Sequence, residues 1–318
     1  MPYPYEEFSR LHGPVQPWDT GYLHRDGHDI YYEQCGIEDG IPVLFLHGGP
    51  GAGCSPAHRR LFDPRKYRAI LFDQRGCGRS KPYASLDHNT TTDLVEDIEA
   101  LRRHLGLQSM VIFGGSWGST LALCYGIAYP ERCDGFVLRG IFLGTRPEID
   151  WFLYDMGRFF PEAHREFTHF LPQEERSDLL TAYLRRLTGL SSGQALAAAE
   201  RWASYENSCA TLSYERRSGG KGALAISLIE AHYFAHNCFM EPDHILSRVK
   251  DLRHRKAVIV NGRHDVICPP FSAVKLADKW GPNARLHLVD DAGHSAFEPS
   301  ILSHLLKGLD HICDNLRY

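Results

Sequence analysis

The strongest constraint on the fold is a set of short apolar runs separated by helical segments. Four of these runs lie in the first half of the chain, at residues 43–46, 69–72, 110–113 and 135–138. Runs of this length and apolarity are typical of strands buried on both faces of a sheet. A helix is predicted at 92–105, with acids in its first turns, bases in its last, and Gly106 just beyond its end. The alternation predicts an α/β fold with a mostly parallel sheet and helices on both faces.

The alternation is interrupted once, and the interruption predicts the domain organisation. Residues 143–242 show helical periodicity and alanine-rich stretches without a convincing strand. Apolar runs resume at residues 257–260 and 285–289, and a helix is predicted to follow at about 299–315. We therefore predict an α/β core made of residues 1–142 and 243–318, with 143–242 inserted as a helical cap. Caps of this kind cover an active site and supply selectivity.

Composition and charge exclude several kinds of partner. The formal net charge of −4 gives no basic footprint for nucleic acid or an anionic membrane. No apolar run approaches the ~18 residues of a membrane span, and the first ten residues lack the pattern of a signal peptide. Nine cysteines, an odd number without a C-x-x-C motif, indicate free thiols in a reducing compartment. We expect a cytoplasmic protein.

Eighteen histidines raise the question of a metal site. His232 and His236 have helical ligand spacing, but Tyr233 stands where the H-E-x-x-H motif has its glutamate. The glycine-rich segment 47–51 lacks the G-K-[ST] ending of a phosphate-binding loop. The sequence therefore predicts neither a metal nor a cofactor.

A nucleophilic serine is predicted at Ser116. It lies in Gly114–Gly118, a G-x-S-x-G motif in which small neighbours let a serine occupy a strained turn between a strand and a helix. The motif follows the predicted strand 110–113 and precedes an apolar helical run, which is the context this turn needs. Ser116 is therefore predicted to attack a carbonyl group.

The base and its orienting carboxylate are predicted from their positions after strands. Asp265 follows the run 257–260 and His294 follows 285–289, in the chain order Ser, Asp, His. The alternative orienting groups Asp290 and Asp291 belong to the loop of His294 itself and rank below Asp265.

Two backbone N–H groups are predicted to stabilise an oxyanion. One belongs to Trp117, the residue after the nucleophile. The other comes from the loop after strand 43–46, where Gly49 is the preferred donor and Gly48 the alternative.

Five segments together resemble a known family. They are HGGPGAGC (47–54), DQRGCGRS (73–80), GGSWGSTLAL (114–123), LRGIFLGTRPEIDWF (138–152) and GRHDVICPP (262–270). The chain resembles the proline iminopeptidases, the prolyl aminopeptidase branch of the α/β-hydrolases. This resemblance implies an α/β-hydrolase fold and a serine exopeptidase, without a cofactor, that removes N-terminal proline from small peptides.

The resemblance also implies roles for residues of the cap. Glu206 and Glu230 match the positions that bind the substrate amine, although Tyr205 stands where the family often has tryptophan. The candidates to pack the proline ring are aromatic: Phe142, Trp151 and Tyr154.

Three further positions lie next to these motifs. Segment 73–76 is predicted to support the 47–51 loop by hydrogen bonds, and Cys268 to lie close enough to the triad for its modification to inhibit. Arg139 is expected to pair either with the cap acids or with residues of the sheet.

Two other functions remain open on the sequence. One is a capped esterase or amidase that shares the triad but lacks selectivity for N-terminal proline. The other is a non-catalytic relative that uses the pocket as a receptor, which the intact Ser116, Asp265 and His294 disfavour.

Overall fold

A single sheet of eight strands organises the part of the chain that the computed structural model describes, residues 10–189, 191–314 and 316. The strands are β1 (Pro17–Arg25), β2 (His28–Gly36), β3 (Ile41–Leu46), β4 (Tyr67–Phe72), β5 (Met110–Gly115), β6 (Cys133–Arg139), β7 (Ala257–Gly262) and β8 (Ala284–Val289). Their order in the sheet is β1-β2-β4-β3-β5-β6-β7-β8. All six apolar runs identified in the sequence lie within strands of this sheet.

The sheet is parallel from β4 to β8 and antiparallel at one edge. β1 pairs with β2 and β2 with β4 in antiparallel fashion, whereas every pair from β3–β4 to β7–β8 is parallel. The prediction of a mostly parallel α/β sheet is confirmed. Because parallel strands end at the same edge, the loops after β3, β5, β7 and β8 meet there.

Helices connect these strands. They are α1 (Pro56–Arg59), α2 (Thr91–His104), α3 (Trp117–Ala128), α4 (Arg146–Asp150), α5 (Pro161–His169), α6 (Leu179–Leu187), α7 (Ser192–Cys209), α8 (Ala223–Ala235), α9 (His244–Arg248), α10 (Pro270–Trp280) and α11 (Pro299–Cys313). The predicted helix 92–105 is α2, where the Thr90 hydroxyl accepts a hydrogen bond from the Asp93 N–H and caps the first turn. The predicted terminal helix is α11, which ends at Cys313; residue 315 lies outside the described residues.

Alternate residues of each strand face two separate cores. On β3, Leu44 and Leu46 pack with residues of α2, α3 and α10, whereas Val43 and Phe45 pack with residues of α11. Both faces of the sheet are therefore covered, as the apolar runs require.

The segment 143–242, called the insertion below, contains helices and no strand among its described residues, 143–189 and 191–242. It lies against the carboxyl edge of the sheet. A Cβ added at Gly51, in the loop after β3, would lie 2.8 Å from the carbonyl oxygen of Ala225 on α8. On the other side, the carbonyl of Ala210 accepts hydrogen bonds from the N–H groups of His294 (3.1 Å) and Ser295 (2.9 Å). Among the described helices, none is long and apolar enough to cross a membrane.

Candidate active site

The turn between β5 and α3 holds Ser116 in a strained conformation. Its φ of 57° and ψ of −128° are unusual for a residue with a side chain and cost about 1–3 kcal/mol. The flanking glycines make the turn possible: a Cβ at Gly114 would collide with the carbonyl of Gly118, and a Cβ at Gly118 with the carbonyl of Leu46. The motif thus presents Ser116 at the carboxyl edge, where its side chain is 8% exposed.

His294 and Asp265 form a hydrogen-bonded pair at the same edge. Nδ1 of His294 lies 2.7 Å from Oδ2 of Asp265, and both residues are buried. The backbone at position 140 lies so close to the His294 ring that the position requires glycine, because a Cβ there would lie 2.9 Å from Cε1 of His294. The alternative carboxylates are engaged elsewhere. Asp290 accepts from Arg263 (3.0 Å), and Asp291 from the Ser300 hydroxyl (2.6 Å).

The other nitrogen of His294 is occupied by Arg139. Nη1 of Arg139 lies 2.9 Å from both Nε2 and the backbone oxygen of His294. Within the described residues, the hydroxyl of Ser116 has its polar contact with Sγ of Cys268, at 4.0 Å, and not with His294. The structure therefore brings the three predicted triad residues together, with the Ser116–His294 hydrogen bond unformed.

The predicted oxyanion donors flank Ser116. Trp117 is the first residue of α3, so its N–H has no carbonyl one turn earlier to bond. Gly49 has a φ of 106°, which favours glycine. The neighbouring Gly48 comes closest to the nucleophile, since a Cβ there would lie 3.9 Å from Oγ of Ser116.

The loop carrying these glycines is held by the segment after β4, as the sequence predicts. The side chain of Gln74 donates to the carbonyl of His47 (3.0 Å), and its backbone N–H donates to Nε2 of the same residue (3.0 Å). The Gln74 amide oxygen also accepts from the indole of Trp117 (2.9 Å). Burial lowers the pKa of His47, which keeps this imidazole neutral and able to accept.

Cys268 adjoins the triad but is a poor nucleophile. Its N–H donates to Oδ1 of Asp265 at 2.8 Å. Burial, with the Asp265 charge adding to it, raises the pKa of the thiol well above its ordinary value, so the sulfur stays protonated. Its position fits inhibition by modification through steric interference.

Glu206 on α7 and Glu230 on α8 are two interacting acids, of which Glu230 is buried and Glu206 is partly buried. Burial of the carboxyl group raises the pKa of Glu206 to about 7, although the Arg139 charge opposes the rise. Burial and the charge of Glu206 raise the pKa of Glu230 well above its ordinary value. Oε2 of Glu230 accepts from the indole of Trp202 at 2.6 Å, whereas the buried Oε2 of Glu206 has no hydrogen-bond partner among the described residues. Such a pair is poised to bind a cation.

Two of the three predicted ring-pocket residues contact other parts of the site, Phe142 on the side of Trp202 and Trp151 on the side of Asp265. The ring of Phe142 is 6.0 Å from that of Phe234, which is 6.1 Å from the indole of Trp202. Trp151 donates from Nε1 to the carbonyl of Val266 at 2.6 Å, which ties the insertion to the loop of Asp265.

Tyr154 is different, and the prediction for it needs correction. Its side chain is 36% exposed, and its hydroxyl accepts from the N–H of Leu179 on the outer side of the insertion. The two residues lie in the same π-helical turn, residues 151–155, but Trp151 is less exposed and bonds the loop of Asp265.

Two residues of the site were not assigned a role in advance. Trp202 lies four residues before Glu206, so both occupy the same face of α7, and this spacing was the available signal. The contact of Arg139 with His294 carries no such signal, because it joins residues 155 positions apart.

Comparison with known proteins agrees with this architecture and names the family. The family described as the α/β-hydrolase fold matches residues 41–300. A proline iminopeptidase of Arabidopsis thaliana is 47% identical over 306 residues, covering 93% of this chain and 80% of the relative. Another, from Xylella fastidiosa, is 45% identical over 308 residues, covering 94% and 98%. The chain belongs to the proline iminopeptidase family. The membership confirms the resemblance read from the five sequence segments, and with it a hydrolase.

Solved structures agree on the fold. An α/β-hydrolase from a Medee basin deep-sea metagenome library superposes with a TM-score of 0.62 at 17% identity, over 94% of this chain and 98% of that one. The 2-hydroxy-6-oxo-6-phenylhexa-2,4-dienoate hydrolase of Rhodococcus sp. strain RHA1 gives 0.59 at 19% identity, over 94% and 99%. At such identities the likeness concerns the fold alone.

Proposed function

We propose that this protein hydrolyses the bond after an N-terminal proline, with Ser116 as nucleophile and Glu206 and Glu230 holding the free amine. The observation that carries the proposal is the pair of interacting acids, Glu206 and Glu230, which Arg139 connects to His294. Arg139 contacts His294 and is also close enough to Glu206 to affect its pKa, which links the acids to the triad. The names of the relatives support the same substrate class.

Recognition of the amine follows from charge. An N-terminal proline is a secondary ammonium with two N–H donors, and two carboxylates can accept both. Glu206, with a pKa of about 7, gives up its proton readily at neutral pH when a cation enters. Phe142, Phe234 and Trp202 supply apolar surface for the ring. We assign the insertion, residues 143–242, as the cap that supplies this selectivity.

The reaction itself is acyl transfer. The Ser116 hydroxyl attacks the prolyl carbonyl as its proton passes to Nε2 of His294, and Asp265 holds the imidazole through Nδ1. The N–H groups of Trp117 and Gly49 stabilise the oxyanion. His294 then protonates the leaving amine, the prolyl ester of Ser116 forms, and water hydrolyses it by the same route.

This series of reaction steps requires Arg139 to leave Nε2 of His294. Two buried atoms of the site, Nε of Arg139 and Oε2 of Glu206, have no hydrogen-bond partner in the part of the chain that the structure describes. A guanidinium turned toward Glu206 would satisfy both atoms and free Nε2 to accept from Ser116. It would also favour the ionised form of Glu206, which the ammonium needs.

The test is hydrolysis of three arylamides side by side, carrying proline, N-acetylproline or alanine. We expect cleavage of the proline compound to exceed that of the N-acetylated one by at least 100-fold in kcat/KM, because acetylation removes the charge that the acids bind. Equal rates would contradict the amine pocket and favour the general esterase or amidase. A preference for alanine over proline would contradict the ring pocket instead.

A further inference from the structure

A cavity of about 180 Å³ adjoins the candidate site, and neither Glu206 nor Glu230 is among its lining residues. Its inner end is formed by Gly48 and Gly115, which adjoin Ser116, and by His294, and the Ala210 end of α7 also borders it. Its outer wall is formed by His58 and Phe297, whose rings stack with centroids 5.8 Å apart and planes at 12°. It is smaller than the about 300–1,000 Å³ of a whole-ligand pocket, so its size suits one side chain.

The chemistry fixes which part of a substrate reaches this cavity. His294 must protonate the nitrogen that leaves, so the residue attached to that nitrogen lies on the His294 side of the scissile bond. The prolyl group lies on the other side, where its ammonium meets Glu206 and Glu230. Neither glutamate lines the cavity, whereas His294 and the oxyanion loop both do.

The lining determines the chemical class that fits. Phe45, Phe113 and Leu305 make its floor apolar. Burial lowers the pKa of His58 to about 4, so this imidazole is neutral and packs on Phe297 as an apolar ring. The charged group at the inner end is the guanidinium of Arg139. A basic side chain would therefore find no acidic partner in this lining, whereas an aromatic or branched apolar one would bury its surface.

We propose that this cavity binds the side chain of the residue that follows the N-terminal proline, and that it prefers an uncharged aromatic or branched apolar side chain. The inference rests on the proposed function, since it places the leaving residue of the same reaction. Phe297 is then a specificity residue, and it is 39% exposed, so a substrate side chain can reach it.

The experiment compares kcat/KM for Pro-Phe-NH2, Pro-Leu-NH2, Pro-Lys-NH2 and Pro-Gly-NH2, measured as proline released. We use kcat/KM because it reports formation of the acyl-enzyme, the step that involves the leaving residue. The unaltered protein should favour Pro-Phe-NH2 over Pro-Gly-NH2 by about 10-fold or more, and Pro-Leu-NH2 over Pro-Lys-NH2. Phe297→Ala should reduce the Phe/Gly ratio to about 3-fold or less.

Two further variants make the result decisive. Ala296→Leu fills the cavity from its wall and should lower the same ratio without removing an aromatic ring. Tyr22→Ala is the matched control, because Tyr22 is 40% exposed and lies on β1, the outermost strand; it should leave the ratio unchanged.

Each outcome decides one question. An unchanged ratio in both Phe297→Ala and Ala296→Leu, or no preference among the four amides in the unaltered protein, overturns the proposal while the exopeptidase function stands. Failure to release proline from any of the four overturns the proposed function instead.

Discussion

The core and the insertion build their parts of the site in different ways. Ser116, Asp265 and His294 lie just beyond the carboxyl ends of β5, β7 and β8, where the sheet brings the loops together. Glu206 and Glu230 lie within α7 and α8, and packing between these helices sets their positions. The Ser227 hydroxyl bonds the carbonyl of Ala199 at 2.9 Å, for example, across the α7–α8 contact.

On the proposed function, the residues that carry out the reaction belong to the core, and the residues that select the substrate belong to the insertion. The core supplies a nucleophile, a base and oxyanion donors that could act on many carbonyl compounds. The insertion supplies two acids whose burial raises their pKa values, a cost to the fold that Arg139 and Trp202 offset in part and that the proposed binding of a cation would offset further. Changes in the core should therefore abolish turnover for all substrates, whereas changes in the insertion should alter the choice of substrate and the stability.

The largest effect is expected in the core. Ser116→Ala should lower kcat for the proline arylamide by about 10⁴- to 10⁶-fold, because the acyl-enzyme can no longer form. The measurement is steady-state hydrolysis, together with labelling by a fluorophosphonate, which should also be lost. The thermal midpoint should stay close to that of the unaltered protein, since alanine can adopt the same turn with the same neighbours.

Ser247→Ala is the control for this variant. Ser247 lies on α9, where its exposed hydroxyl donates to the carbonyl of His244, so activity and labelling should not change. Turnover of more than a hundredth of normal by pure Ser116→Ala protein would remove Ser116 from the mechanism.

The core part of the site could be predicted from the sequence because local constraints specify it. Contacts within one turn and with the adjoining strand require glycine at positions 114 and 118, so the motif in the sequence indicates the geometry of the turn at Ser116. The positions of Asp265 and His294 follow from where the strands end, and the apolar runs mark those ends. Asp290 and Asp291 ranked below Asp265 because they share the loop of His294, and in the structure they bond to Arg263 and Ser300 instead.

The existence of the helical insertion follows from periodicity, but the roles of its residues could be predicted only by resemblance, because the packing between helices leaves little signal in a single sequence. Periodicity identified helices but not which faces meet, so the approach of Trp202 to Glu230 was not foreseen. Tyr154 was misplaced for the same reason: an aromatic residue in a helical segment can face the site or the surface, and its contact with Leu179 is set by packing within the insertion. The contact of Arg139 with His294 arises from the tertiary fold and has no local signature.

An intermediate effect is expected from Glu206→Gln. The loss of one carboxylate from the amine pocket should lower kcat/KM for the proline arylamide by about 30- to 5,000-fold, the equivalent of about 2–5 kcal/mol. Hydrolysis of the N-acetylated arylamide should change much less, because that substrate has no ammonium to bind. The ratio of the two kcat/KM values is the measurement.

Glu174→Gln provides the control for that ratio, since Glu174 is an exposed glutamate of the insertion. Equal losses on both arylamides in Glu206→Gln would mean that Glu206 supports the general structure of the site and does not select the amine.

The smallest effect, and the one that separates the two regions most directly, is on stability. The pKa of Glu206 is about 7 in the folded protein against an ordinary 4.5, so the folded form retains a proton that the unfolded form gives up between these values. Its contribution to the free energy of unfolding is therefore full below about pH 4.5 and is lost as the pH rises through 7. Glu206→Gln should stabilise the protein by about 1–3 kcal/mol at pH 8 and by nothing measurable at pH 4.5 in urea unfolding, whereas Glu174→Gln should be neutral at both. A Glu206→Gln protein that is less stable than the unaltered protein at pH 8 would mean that favourable contacts hold the Glu206 carboxylate. In that case this acid would stabilise the fold of the insertion, and its burial would not be a cost.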